Sequence, residues 1–440
     1  MLTAGELKQA ADESLFSEHF EQALRLYLQL LELQPLNLDA RLRVGDALLA
    51  LGEVQRAAVV YTRLAQYAAH AGYPLRALTA LKILAALEPE LGGLVHSIGE
   101  LYARDSVRLG PGVRRSLPSA EELVPRTSQA PQDGLAQLVV EAEQLAVDYD
   151  HKDALLPERL MAIPLLSQLD QSGLSRVFDA MELSRLRPGT IVAAQGSEGG
   201  SLFVLARGSV AVNRSERDGK QRRLATLREG SIFGELSFLS RMPRSATIVA
   251  ESDCDLLQLS VAALERMGEA GASLRAVVAA FARERLLGHV MANSPLFAPL
   301  EPVQRIDLIK RFVELDVPAG AAIVEQGHHG QGAYVVLRGE VSVSRSEGER
   351  TLELARLGPG ELFGEMSLLS GEGATATVRA YEPTSVLLLA RHYFDRLLDA
   401  LPDMRAQLEQ LADTRFRQIA SSFAPRTPGD DDGIEIEVLL

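Results

Sequence analysis

Short runs of β-branched and apolar residues, cut by glycines, fill the middle of the chain at 191–193, 202–205, 210–212, 247–250 and 256–259. Runs this short, about ten residues apart, predict a closed sandwich or barrel. Helical periodicity flanks the block, over 172–184 before it and about 260–292 after it. A second block of the same kind follows, with helices near 301–314 and 391–420. Between residues 105 and 155 the pattern breaks. Pro111-Gly112, Pro118, Pro125 and Pro131 make the first half of that stretch a loop, and 133–149 read as one amphipathic helix.

The N-terminal stretch repeats at 34 residues. Ala23 recurs as Ala57, Tyr27 as Tyr61 and Leu30 as Leu64, and a compressed third copy places Ala77, Leu81 and Leu84 at the same internal spacing. A small residue four positions before a bulky one lets a neighbouring helix approach closely. Gly45 falls where two paired helices pack tightly, and Pro35 and Pro89 stop the helices that begin near Ala23 and Ala77. Over about residues 4–90 this resembles the tetratricopeptide repeat, which implies a docking or oligomerisation surface without chemistry. A plain helical bundle is the alternative.

A second, stronger period of about 130 residues relates the two strand blocks. Pro164-Leu165-Leu166 answers Pro295-Leu296-Phe297, Gln195-Gly196 answers Gln326-Gly327, and Phe203-Val204-Leu205 answers Tyr334-Val335-Val336. Phe233-Gly234-Glu235 then answers Phe363-Gly364-Glu365 with one residue lost. A single-residue change of length belongs in a hairpin, marked in the first copy by Asp218-Gly219.

Composition narrows the function. The 440 residues are too many for one ordinary core. One cysteine, Cys254, excludes an intramolecular disulfide and a multi-cysteine zinc site. With 45 basic against 59 acidic residues the formal net charge is −14, which argues against nucleic-acid binding by the surface at large. No apolar run is long enough for membrane insertion, and no signal peptide is visible, so a cytoplasmic location is expected.

The candidate chemistry lies in 230–250, GSIFGELSFLSRMPRSATIVA. Gly234 permits close backbone approach. Glu235 follows, and Leu236 and Ser237 open a short helix with unpaired amides. Arg244 stands nine residues after the glutamate, with Ser245 beside it. An acid suits a sugar hydroxyl, and a guanidinium fork suits a phosphate. Phe233-Gly234-Glu235-Leu236-Ser237 followed by Pro243-Arg244-Ser245-Ala246-Thr247 resembles the phosphate cassette of cyclic nucleotide-binding domains. Those domains occur in the catabolite activator protein, protein kinase A regulatory subunits and cyclic-nucleotide-gated channels. The resemblance implies that Glu235 holds the ribose and Arg244 the cyclic phosphate, with Gly234, Leu236, Ser237 and Ser245 in support. In the second copy, Gly364, Glu365, Met366 and Ser367 keep the pattern, but Ala374 stands where Arg244 does, followed by Thr375. That copy is expected to bind cyclic nucleotide weakly or not at all. Arg379 and His328 are the nearest candidates to replace the arginine.

The expected fold is therefore multidomain, α and β. An N-terminal α-helical, tetratricopeptide-like solenoid (1–104) and a linker with one helix (105–155) precede two cyclic nucleotide-binding β-barrels of jelly-roll type with flanking helices. These are domain A (156–292) and domain B (293–422, degenerate), and a disordered acidic tail (423–440) ends the chain. No helix-turn-helix follows either barrel and no enzyme motif is present, so the expected function is non-catalytic and needs no cofactor. The ligand is cAMP or cGMP, and the protein partner, reached through the repeat region, is unnamed. A homo-oligomer stays open. A scaffold that has lost its ligand is the alternative, and Arg114-Arg115-Ser116-Leu117 raises a narrower one, a kinase contact.

Overall fold

The computed structural model describes residues 2–88, 93–124, 134–149, 156–215, 220–240, 243–294, 297, 300–348, 350–369 and 373–400. The Asp218-Gly219 turn, the helix expected over 401–420 and the acidic tail lie outside the described residues. The chain forms two compact units, Met1–Val278 and Ala279–Leu440.

The first unit opens with six helices: α1 (Ala4–Phe16), α2 (Phe20–Leu33), α3 (Leu38–Ala50), α4 (Val54–His70), α5 (Pro74–Leu87) and α6 (Gly93–Tyr102). The 34-residue period has a physical basis. Tyr27 on α2 donates its hydroxyl to Asp12 on α1 at 2.6 Å, and Tyr61 on α4 donates to Asp46 on α3 at 2.8 Å. Both tyrosines are fully buried, so the repeat is a hydrogen-bonded pair set into an apolar seam. A Cβ on Gly45 would lie 2.7 Å from the Tyr61 ring, which is why the second copy carries glycine there. The stretch expected to be a loop linker is stitched to this body. β1 (Leu2–Thr3) pairs with β2 (Leu123–Val124), the Arg115 amide donates to Ala71 O at 3.1 Å, and α7 (Leu135–Val147) packs on α2, α3 and α4.

The first barrel follows in the same unit. Helix α8 (Gln171–Ala180) leads into β3 (Glu182–Leu186), β4 (Ile191–Ala193), β5 (Ser201–Arg207), β6 (Ser209–Ser215), β7 (Gln221–Arg228) and β8 (Ile232–Phe233). Helix α9 (Glu235–Ser240), β9 (Thr247–Ala250), β10 (Cys254–Ser260) and α10 (Val261–Arg266) complete it, and α11 (Glu269–Asn293) begins in this unit and ends in the second. Two antiparallel sheets, ordered β3-β10-β5-β8 and β4-β9-β6-β7, enclose a core of Phe203, Leu205, Val210, Phe233, Ile248 and Leu256. The second unit repeats the plan with α12 (Pro302–Ile309), β11 (Val313–Val317), β12 (Ala322–Val324), β13 (Gly332–Arg338), β14 (Val341–Glu347), β15 (Arg350–Leu357) and β16 (Leu362–Phe363). It closes with α13 (Glu365–Leu369), β17 (Thr377–Ala380), β18 (Thr384–Ala390) and α14 (Arg391–Ala400), and its sheets have the equivalent order. The lost residue sits at the hairpin. Ser215 pairs with Gln221 in one copy, and Ser346 with Thr351 in the other.

Three helical expectations need correction. The helix over 172–184 ends at Ala180, because 182–186 pair with β10 instead. The helix over 301–314 likewise gives way to β11 from Val313, paired with β18. The helix over 260–292 is two, parted at Met267-Gly268, where Gly268 takes a φ of +58°. In the first two cases strand partners distant in sequence outweigh local periodicity, and in the third the break is local, at the glycine.

The helical body and the first barrel meet through α6 on α8, α5 on β3 and β5, and a network of charges. Asp39, Arg43 and Asp46 lie on one face of α3. Arg76 of α5 bridges Asp39 (2.7 Å) and Glu229 (2.8 Å). Arg43 reaches Asp253 at 2.9 Å, and Arg185 of β3 bridges Asp46 (2.7 Å) and Asp255 (3.2 Å). Arg207, at the end of β5, forks onto Asp255 at 2.7 and 3.4 Å. Burial alone would raise the Asp255 carboxyl, but Arg207 and then Arg185 outweigh it and hold the group below the ordinary carboxylate range. Asp46 and Asp39 behave alike, with Arg185 and Arg76 as the leading cations.

Candidate functional site

Gly234 ends β8 and opens α9 with a φ of +82°. A Cβ there would sit 2.4 Å from Arg244 Nη1 and 2.9 Å from Ser201 O, so only glycine leaves room for the guanidinium. Arg244 Nη2 donates to Ser201 O at 2.8 Å and Nη1 to Gly234 O at 3.2 Å. The group lies 5.2 Å from the centre of the Phe203 ring, which itself stacks on Phe233 across β5 and β8. The backbone is pinned as well: the Arg244 amide donates to Ser197 O, and the Gly196 amide donates to Arg244 O, both at 2.8 Å. Two strand ends thus hold the guanidinium, and one loop holds the Arg244 backbone.

Glu235 and Arg244 are both buried, at 7% exposure each. Burial lowers the arginine's proton affinity and the Glu235 carboxylate opposes it. The guanidinium stays charged, since no environment of this kind deprotonates arginine. Ser237 is buried, Leu236 half-buried and Ser245 exposed. Beside Arg244 opens a cavity of about 320 Å³, lined by Val192, Ala193, Ser197, Ser201 and Phe203, with the exposed Glu198 also on its wall. The six residues singled out in the sequence therefore fall on one short stretch, with Glu235 and Arg244 both buried there. What the sequence did not disclose is the partner set of Arg244. Its acceptors are main-chain carbonyls, which carry no side-chain signal, and the Phe203 ring reads as plain core.

The second copy keeps the frame and loses the charge. The Ala374 amide donates to His328 O, and the Gly327 amide to Ala374 O, both at 2.8 Å, as at Arg244. Gly364 takes a φ of +81°, Glu365 and Ser367 are buried, and Met366 and Thr375 are half-buried. Ala374, however, belongs to the apolar core with Tyr334, Val324 and Val378. A Cβ on Gly364 would meet the Tyr334 ring at 3.0 Å, where Gly234 meets a guanidinium. Arg379 is exposed and donates to Gly320 O at 3.3 Å, and His328 is exposed beside Glu325, so neither stands in for the arginine. Arg391, the first residue of α14, instead donates to Ser367 O (2.8 Å) and Gly330 O (3.1 Å). The first copy has Val261 at that position.

Arg114-Arg115-Ser116-Leu117 is engaged within the helical body. The Arg114 guanidinium lies 5.7 Å from the centre of the Tyr73 ring, and the Tyr73 hydroxyl donates to Arg115 O. Among the described residues, no helix is long and apolar enough to cross a membrane.

The family model described as the cyclic nucleotide-binding domain matches residues 183–270 and again 314–400. The two matches lie in tandem along the chain. A curated relative, the cAMP-dependent protein kinase type II regulatory subunit of Drosophila melanogaster, is 27% identical over 258 residues, which is 58% of this chain and 64% of the relative. The chain thus spans less than two thirds of that relative's length. Among solved structures, the regulatory domain of Toxoplasma gondii PKA with cAMP is 24% identical, covering 57% of this chain and 92% of its own, at a TM-score of 0.27. The Thermus thermophilus catabolite activator protein is 38% identical, covering 29% of this chain and 61% of its own, at a TM-score of 0.26.

Proposed function

We propose that this chain is a non-catalytic, cytoplasmic receptor for a cyclic nucleotide, cAMP or cGMP. It binds at Gly234, Glu235, Leu236, Ser237, Arg244 and Ser245 of domain A (156–292). Glu235 takes the ribose hydroxyl and Arg244 the cyclic phosphate. Domain B (293–422) binds weakly or not at all, because Ala374 offers no fork and packs as core. The observation that carries this reading is the buried guanidinium of Arg244. It is held by two main-chain carbonyls beside a ring, and the residue lines a cavity, in a frame the second copy repeats without the charge.

We read the helical body as tetratricopeptide-like and as the output of the receptor. Support comes from β5, whose first residues build the site and whose last, Arg207, enters the charge network facing α3. Glu229, clamped by Arg76, lies six residues before Glu235. A ligand that favours one arrangement of these ends shifts the helical body only by its differential affinity. The relative's name makes a protein kinase one partner to try, although Arg114 and Arg115 are already engaged in this chain. The test is the melting of the Met1–Val278 unit. Saturating cAMP or cGMP at about 100 times Kd should stabilise it by roughly 2.7 kcal/mol. An unchanged melting temperature with both nucleotides would favour the scaffold.

A further inference from the structure

Of the described residues that line the cavity beside Arg244, two are charged: Arg244 itself and Glu198. The loop that carries Glu198 joins β4 to β5 and is fixed on both sides of it. The Arg244 amide donates to Ser197 O at 2.8 Å, the Ser197 hydroxyl donates to Ala194 O at 2.6 Å, and the Val261 amide donates to Gly200 O at 2.8 Å. Glu198 is therefore held one residue away from a hydrogen bond to the Arg244 backbone. It is exposed, and among the described residues its carboxylate makes no ion pair or side-chain hydrogen bond. The bonds that fix the loop come from its backbone, Gln195 and Ser197, so its fold does not need that carboxylate.

The second copy supports a link between the two charges. With Gln195-Gly196 set on Gln326-Gly327, His329 answers Glu198 as Ala374 answers Arg244. The copy that has lost the cation has lost this anion too, while the backbone bonds between the two segments are kept. A carboxylate on the wall of an anion site weakens binding, so its use must lie in what it refuses. A cyclic phosphate is a diester and carries one negative charge. A phosphate monoester carries two near neutral pH, and one below its second pKa of about 6. The described lining residues supply a single cation to meet them. Coulomb repulsion grows in proportion to the ligand's charge, so Glu198 acts twice as strongly on the dianion as on the monoanion.

We propose that Glu198 sets the charge this site accepts, admitting a monoanionic cyclic diester and refusing the dianionic 5′-monophosphate of the same nucleoside. This rests on the reading of the cavity as the nucleotide site and adds to it the residue that separates the ligand from its hydrolysis product.

The experiment is displacement of a fluorescent cyclic nucleotide from the full chain by cAMP, cGMP, 5′-AMP and 5′-GMP, for wild type, Glu198→Gln and Glu198→Lys. An exposed carboxylate acting through water over several ångströms weakens a monoanion about threefold, so Glu198→Gln should tighten the cyclic diester about threefold. The gain for the monophosphate should be the square of that, about tenfold. Glu198→Lys doubles the change of charge, which squares both gains again, to about tenfold and about a hundredfold. At pH 5 the monophosphate carries one charge, and its gain should fall to that of the diester. Arg244 and Glu235, the charged groups nearest on the other elements, are the same in all three chains. Glu182→Gln removes an equal charge from β3, away from the cavity, and should move neither ligand. Equal gains for diester and monophosphate at pH 7.5, a monophosphate that fails to displace the probe from Glu198→Lys, or an equal effect of Glu182→Gln would overturn the proposal. A wild-type chain that binds no cyclic nucleotide at all would instead remove the reading of the site, and this inference with it.

Discussion

Replacing Arg207 by methionine tests the joint between the helical body and domain A. The Arg207 and Asp255 side chains are 8% and 1% exposed, so the pair is shielded from water. Removing the arginine leaves Asp255 with Arg185 at 3.2 Å as its remaining direct ion pair. Breaking a buried pair from one side costs about 3–5 kcal/mol, and the surviving partner puts this case near 3. A unit the size of Met1–Val278 has an unfolding entropy of about 0.6 kcal/mol per kelvin. The expected fall in Tm is therefore roughly 5 °C, read by calorimetry of the full chain as the shift of the first unit's transition alone. The double variant Arg207→Met with Asp255→Leu removes both charges and should recover most of the loss, because the desolvation penalty leaves with them. A fall of less than 1 °C in the single variant would refute the reasoning, and so would a double variant less stable than the single.

The same network sets a pH dependence. Asp39, Asp46 and Asp255 are held below their ordinary values by their arginines, so the stability they contribute is present above the unfolded carboxylate pKa of about 3.9 and is lost as pH falls through and below it. The Tm of the first unit should be level from pH 8 to 5 and drop below pH 4, less steeply in Asp255→Asn, and equal slopes would count against the network. Gly45→Ala should destabilise the helical body by about 1–3 kcal/mol, measured by urea unfolding, because the added methyl meets the Tyr61 ring. Ala374→Arg should add a second nucleotide site, since the backbone frame of the first copy is present in the second. Equilibrium dialysis counts the sites, and a count unchanged from wild type would mean that Tyr334 has closed the pocket.

The barrels were legible because their signals are local and doubled. Glycines and apolar runs recur at an offset of about 130, and Glu235 and Arg244 stand nine apart in one cassette. The 34-residue period was legible as apolar spacing, but its polar half, Asp12 with Tyr27 and Asp46 with Tyr61, shows only when the helices are paired. Strands β3 and β11 were missed because their hydrogen-bond partners lie some seventy residues away, while their own sequence continues a helical pattern. The charge network was invisible for a related reason. Asp39, Arg43 and Asp46 look like a solvated helix face until a barrel with opposite charges is placed against it. Nor did the sequence disclose what α7 covers, since a 13-residue amphipathic helix has no preferred partner until Arg41 is found at its end.

Titration calorimetry of the full chain with cAMP and cGMP, alongside Arg244→Ala, tests the central claim most directly. Saturable binding near one site per chain is expected, weakened on the order of 10²-fold or more in the variant, since a bidentate charged contact contributes roughly 3 kcal/mol. Absence of binding with either nucleotide, or an affinity that Arg244→Ala leaves unchanged, would contradict the account.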